Sequence, residues 1–185
     1  GDFNTTPPGC KDGDFLHVGH RKLEFMDSPG HARHHFTVWD EETSGWFTGD
    51  TFGLSYRELD TAKGPFIFPT TTPIQFDPDA LADSVDRMME RAPENMYLTH
   101  FGRVQDVSRL AADMHEGIRF FADLGEKHAQ SDQRTRRIED AMMAWLTERV
   151  RRHGVTLEDA ALEAILRPDV VLNTQGIEFW LDHRR

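Results

Sequence analysis

Trp46-Phe47-Thr48-Gly49-Asp50-Thr51 is an aromatic strand that stops at a glycine and at once delivers a carboxylate. Two other segments have the same build. Ser28-Pro29-Gly30-His31 follows a run carrying Leu23, Phe25 and Met26, and Leu98-Thr99-His100-Phe101-Gly102 follows Met96-Tyr97-Leu98. Each group ends a predicted strand at a sharp turn, so each puts a metal-competent side chain at the rim of a sheet and not in its middle. Two imidazoles and a carboxylate suit a borderline divalent ion such as zinc, iron or manganese. The three residues lie far apart in sequence, and spacing alone leaves a second reading open, in which they are polar turn residues capping strands.

Outward from these turns, the first half reads as sheet. Asp12-Gly13-Asp14 is a turn signal, and Phe15, Leu16 and Val18 make a short strand before the Gly19-His20 turn. His35 to Trp39 alternates, with Phe36 and Val38 on one face, and Asp40 to Gly45 reverses the chain into Trp46-Phe47-Thr48, which predicts a hairpin. Phe52 to Pro73 is a long irregular stretch carrying Tyr56, Phe66 and Phe68; loops of that length are often functional, so these aromatics are the pocket candidates. Asp77-Pro78 has the order of a helix start, with Leu81, Val85, Met88 and Met89 on one face before Ala92-Pro93.

Near residue 103 the composition changes. Gly and Pro become rare, apolar residues recur at helical spacing, and the chain divides into a sheet-bearing part, 1–103, and a helical part, 104–185. Four helices are expected in the tail. Val107, Leu110, Ala111, Met114, Ile118 and Phe121 line the first; Ile138, Met142, Trp145, Leu146 and Val150 line the second, closed by Gly154. Thr156 is the expected cap of a third, and Pro168 the start of a fourth that buries Val170, Ile177, Trp180 and Leu181. Leaving the His100 turn directly, this tail is expected to fold over the site.

The 185 residues include 32 acidic and 21 basic ones, a formal charge of −11, which argues against a nucleic-acid partner because phosphate contacts call for a basic patch. No apolar run approaches the roughly 20 residues of a membrane-spanning helix. Cys10 is the single cysteine, so an internal disulfide and a thiolate metal cluster are both excluded, and the expected compartment is cytoplasmic. No Met opens the chain and no basic stretch leads into an apolar one, so Gly1 is expected to be neither a translation start nor part of a signal peptide, with sequence missing upstream.

The order Asp12-Gly13-Asp14, Ser28-Pro29-Gly30-His31-Ala32, Trp46-Phe47-Thr48-Gly49-Asp50-Thr51, Leu98-Thr99-His100-Phe101-Gly102 resembles the second half of a metallo-β-lactamase-fold hydrolase of the glyoxalase II or lactonase-like branch. The resemblance covers about residues 12 to 103, with a helical C-terminal extension. It implies an α/β fold (α+β), half of an αββα sandwich followed by a helical subdomain. It also implies two divalent metal ions, zinc first and iron or manganese otherwise, with His31 on one ion, Asp50 bridging both and His100 on the other. A metal-activated hydroxide would then attack an ester, thioester, lactone or similar bond in a small-molecule substrate. The family's His-x-His-x-Asp-His ligand motif is absent, and His31-Ala32-Arg33-His34-His35 has the wrong spacing for it. The chain is therefore either the C-terminal piece of a longer hydrolase, the favoured reading, or a metal-free relative. As a piece, it is expected bound to its missing N-terminal half or self-associated. The alternative function is a non-catalytic interaction or regulatory module with no need of metal.

The other reactive side chains rank lower. His34 and His35 are read as the solvated start of a strand ahead of an outer partner to a ligand. His17 and His20 are read as exposed hairpin residues, and His115, His128, His153 and His183 as surface. A nucleophilic Cys10 has no base near it in sequence.

Overall fold

A computed structural model describes residues 11–71 and 75–184; Cys10 lies outside them. Six strands form one sheet in sequence order: β1 (Phe15–Val18), β2 (Arg21–Asp27), β3 (Phe36–Asp40), β4 (Gly45–Gly49), β5 (Asn95–Leu98) and β6 (Gly102–Val104). Neighbours are antiparallel except β4 and β5. A parallel step needs a crossover, and here the loop from Phe52 together with helix α1 (Pro78–Met89) supplies it.

The two sheet faces differ sharply. Met26, Thr37, Trp39, Trp46 and Met96 occupy one face and are buried, with the Trp46 indole N–H donating to the Met88 carbonyl of α1 at 3.0 Å. Asp77 caps α1 by accepting from the Ala80 amide, and Leu81, Val85 and Met88 are fully buried beneath it. On the opposite face, register lines up Phe25, Val38, Phe47 and Tyr97 across four strands, and Phe36 shares this face. Phe36 and Phe47 are 38 % and 44 % exposed there.

The tail is three helices, α2 (Val107–His128), α3 (Arg134–His153) and α4 (Asp159–His183), instead of the expected four. Their predicted stripes are the buried ones, with Trp145, Trp180 and Leu181 partly buried against the core, and Gly154 ends α3 at φ 105°. Pro168 starts no helix. It lies inside α4, and Thr156 caps nothing: Glu158 precedes the helix without a side-chain cap bond. An interior proline costs about 3 kcal/mol or more. Leu162, Leu166, Val170 and Ile177 are buried on either side of it, each contributing roughly 1.5–3 kcal/mol, so burial wins and the helix runs through.

The long loop also departs from expectation. Phe66 and Phe68 are mainly core residues; they are 3 % and 0 % exposed and belong, with Phe52, Leu54, Leu59 and Ile67, to the hydrophobic cluster that continues through Met114 to Ile177. Helix α4 holds this loop in place. The fully buried Asn173 accepts from the Thr71 amide at 2.8 Å and donates to the Pro69 carbonyl at 3.3 Å.

Candidate metal centre

Strand direction explains why three distant turns meet. β2 and β4 are both antiparallel to β3, and β5 is parallel to β4, so β2, β4 and β5 run the same way. The turns that follow them, carrying His31, Asp50 and His100, therefore emerge at one edge of the sheet.

His31 is buried, and its Nδ1 lies 2.8 Å from the Thr70 carbonyl. A carbonyl only accepts, so Nδ1 carries the proton and Nε2 presents a lone pair, the form in which imidazole binds metal. Burial, first among its influences, pulls the His31 pKa below the usual value and favours this neutral form. Gly30 permits the turn: at φ +122° a Cβ would stand 2.2 Å from the Leu81 amide nitrogen of α1. Thr70, the acceptor, lies between Pro69 and Thr71, the two residues held by Asn173, so the tail helps place this ligand candidate.

Asp50 stands between the two histidines. Its Oδ2 is 3.6 Å from His31 Nε2 and its Oδ1 is 3.4 Å from His100 Nε2. Oδ1 is buried and has no hydrogen-bond partner among the described residues. A buried unsatisfied carboxylate oxygen is costly, and a cation on that edge removes the cost. The donor types fit divalent zinc, iron or manganese. Among the described residues no three or more His, Cys, Asp or Glu side chains close around one ion. Each imidazole instead pairs with its own oxygen of Asp50, giving two two-donor positions, so a full tetrahedral set needs further donors.

The Asp50 turn depends on His35, which sequence reasoning placed at a solvated strand start. The ring is part-buried; its Nε2 accepts from the Asp50 amide at 3.2 Å and its Nδ1 lies 3.0 Å from Thr51 Oγ1. The Thr51 hydroxyl donates onward to the Ser28 carbonyl at 3.3 Å. Burial, followed by the neighbouring His31, lowers the His35 pKa to about 4. His34 is exposed.

On the far side of His100, Phe101 is 43 % exposed and adopts φ 75°, an uncommon conformation for an aromatic residue. It packs on Tyr56 at 4.4 Å, and the Tyr56 hydroxyl donates to Asp169 of α4 at 2.6 Å. Burial raises the Asp169 pKa, while the Tyr56 hydrogen bond and then the nearby His100 oppose that rise. Tyr56 is the one pocket candidate that stands beside the site. His115 pairs with Asp86 and His153 reaches the Gly64 carbonyl, so both have structural partners in place of the free surface expected.

The low His35 pKa predicts a pH dependence. Between about 4 and the ordinary value of 6.5 the unfolded chain binds a proton that the folded chain does not. This contribution is complete above 6.5 and is lost as pH falls towards 4, by up to about 3 kcal/mol at 1.36 kcal/mol per unit. Urea midpoints should fall between pH 7 and 4.5, and His35→Gln should flatten that slope; an unchanged slope would contradict the assignment.

Residues 11–100 match the model of the metallo-beta-lactamase superfamily. Solved structures share the fold. An archaeal metallo-beta-lactamase superfamily protein from Sulfolobus tokodaii aligns with a TM-score of 0.53 and 19 % identity over 89 % of this chain and 49 % of its own. A metallo-beta-lactamase family protein from Thermus thermophilus gives 0.53 and 18 % over 95 % and 48 %. A stereoselective inverting sec-alkylsulfatase from a Pseudomonas species gives 0.53 and 15 % over 91 % and 25 %. The chain thus spans about half the length of the first two, and the aligned part includes helical tail. The sequence has no match among curated proteins. No helix among the described residues is long and apolar enough to cross a membrane.

Proposed function

We propose that this chain carries the second half of a dinuclear metal-dependent hydrolase, with His31 and His100 each on one ion and Asp50 between them. The observation that carries this is the setting of Asp50, whose two oxygens face different imidazoles while the buried Oδ1 lacks a hydrogen-bond partner among the described residues. Two divalent ions, zinc by first choice, would supply Lewis acidity and an activated water. The protein's part is to hold them. Asp50 keeps the pair together, Thr70 fixes the His31 proton on Nδ1 so that Nε2 stays a donor to metal, and His100 presents the second imidazole from the opposite turn. Phe101 and Tyr56 give the exposed side an apolar wall, which suits a small acyl substrate such as an ester, thioester or lactone, as in the glyoxalase II or lactonase-like branch. The remaining ligands would come from the preceding half of a longer protein.

Imidazole nitrogen resonances test this. On addition of Zn²⁺ to the chain, Nε2 of His31 and Nε2 of His100 should shift while the His31 Nδ1–H remains. If neither Nε2 responds, the site is not a metal centre and the reading as an interaction module takes its place.

A further inference from the structure

We propose that His35 is a positioning residue for Asp50: as the Nδ1–H tautomer it holds the Asp50 amide and so fixes where the carboxylate stands between His31 and His100. The inference rests on the metal reading above and assigns a role to a side chain outside the ligand set.

Three independent contacts support it. The Asp50 N–H donates to Nε2, which must therefore carry a lone pair, so the ring proton sits on Nδ1 and points to Thr51 Oγ1. Thr51 can accept it because its own proton goes to the Ser28 carbonyl. The relay has a single direction: Asp50 amide to His35, His35 to Thr51, Thr51 to Ser28. The opposite tautomer would set two donors against each other across 3.2 Å.

Steric fit is the second contact. Gly49 has φ +51°, and a Cβ on it would lie 2.1 Å from His35 Cε1, so the imidazole is seated against the glycine that turns the chain into Asp50. The third is the edge-to-face packing of His35 on His31, with ring centroids 5.6 Å apart and planes at 86°. His35 is itself anchored, since its carbonyl accepts from the Ser28 amide at 2.9 Å and its amide donates to the Ala32 carbonyl at 3.2 Å. One ring thus spans the His31 turn and the Asp50 turn. Outer partners of this kind act by fixing ligand orientation, and their loss costs roughly 10- to 100-fold in metal affinity.

The test uses the chain with Zn²⁺. Long-range proton–nitrogen spectra of the metal-free chain should show His35 protonated at Nδ1 and bare at Nε2; protonation at Nε2 overturns the proposal. His35→Leu should weaken Zn²⁺ binding by roughly 10- to 100-fold. His35→Gln should restore most of it, because a glutamine amide can accept from Asp50 with its oxygen and donate to Thr51 with its nitrogen. Affinity unchanged in His35→Leu, or equally lost in both variants, overturns the proposal. If His35→Leu does not fold, Thr51→Val makes the same comparison: removing the hydroxyl should release the Nε2–H tautomer and lower zinc affinity with it, and retained affinity overturns the proposal. Failure of the parent chain to take up Zn²⁺, with the tautomer as stated, overturns the metal reading and this inference with it. Zinc uptake with the wrong tautomer overturns the inference alone.

Discussion

Asp50→Ala should abolish the proposed hydrolysis in a longer protein carrying both halves and remove most metal binding, while leaving the fold close to intact. Asp50 sits on a turn, part-exposed, so its truncation opens no core cavity. Its amide bond to His35 and the Thr51 link to Ser28 involve no atom of the lost carboxylate. What disappears is the anion between the two cation positions, without which divalent ions held there would repel each other. The loss should therefore exceed the roughly 10- to 100-fold typical of an outer partner. Metal content, turnover and thermal unfolding measured together decide the matter. Unchanged metal content and turnover would remove Asp50 from the site, and collapse of the fold would make its role structural.

Much of this arrangement could be read along the chain because its signals are local. Gly30 and Gly49 are needed where the backbone turns against α1 and against His35, and a glycine followed by His or Asp at a strand end is visible in sequence. The helical stripes were equally legible, since burial follows the 3.6-residue period wherever packing is one-sided. The convergence of the turns was a matter of strand direction, which depends on the parallel step between β4 and β5, a tertiary fact.

Other features were illegible for stated reasons. Pro168 looked like a helix start because its local cost is large, yet four buried aliphatic residues around it outweigh that cost, and a sum over tertiary contacts leaves no mark at one position. Phe66 and Phe68 looked like pocket residues because no period organises their loop, but Asn173, more than a hundred residues away, ties that loop into the core. His35 shares its sequence context with the exposed His34. Only the sheet register, which brings its ring over Gly49, separates the two.

The exposed sheet face should make the chain by itself associate. Phe25, Val38, Phe47 and Tyr97 form a row across four strands, with Phe25 and Phe36 5.6 Å apart and Phe47 and Tyr97 stacked at 4.8 Å. Such a face is the kind that packs on another sheet about 10 Å away. In a longer protein we propose that the preceding half covers it, consistent with solved relatives about twice this length. Without that cover a second copy is the available partner, because fully burying one large apolar side chain gains roughly 1.5–3 kcal/mol and several lie side by side. Sedimentation of the chain should show dimers or larger species, and Phe47→Glu should shift them towards monomer, since a carboxylate at the centre of the row would be desolvated in any face-to-face contact. The substitution should leave the fold standing because Phe47 points away from the Trp46 side of the sheet. A monodisperse monomer before substitution would mean that this face is stable in water as it is, and that no missing half is required to cover it.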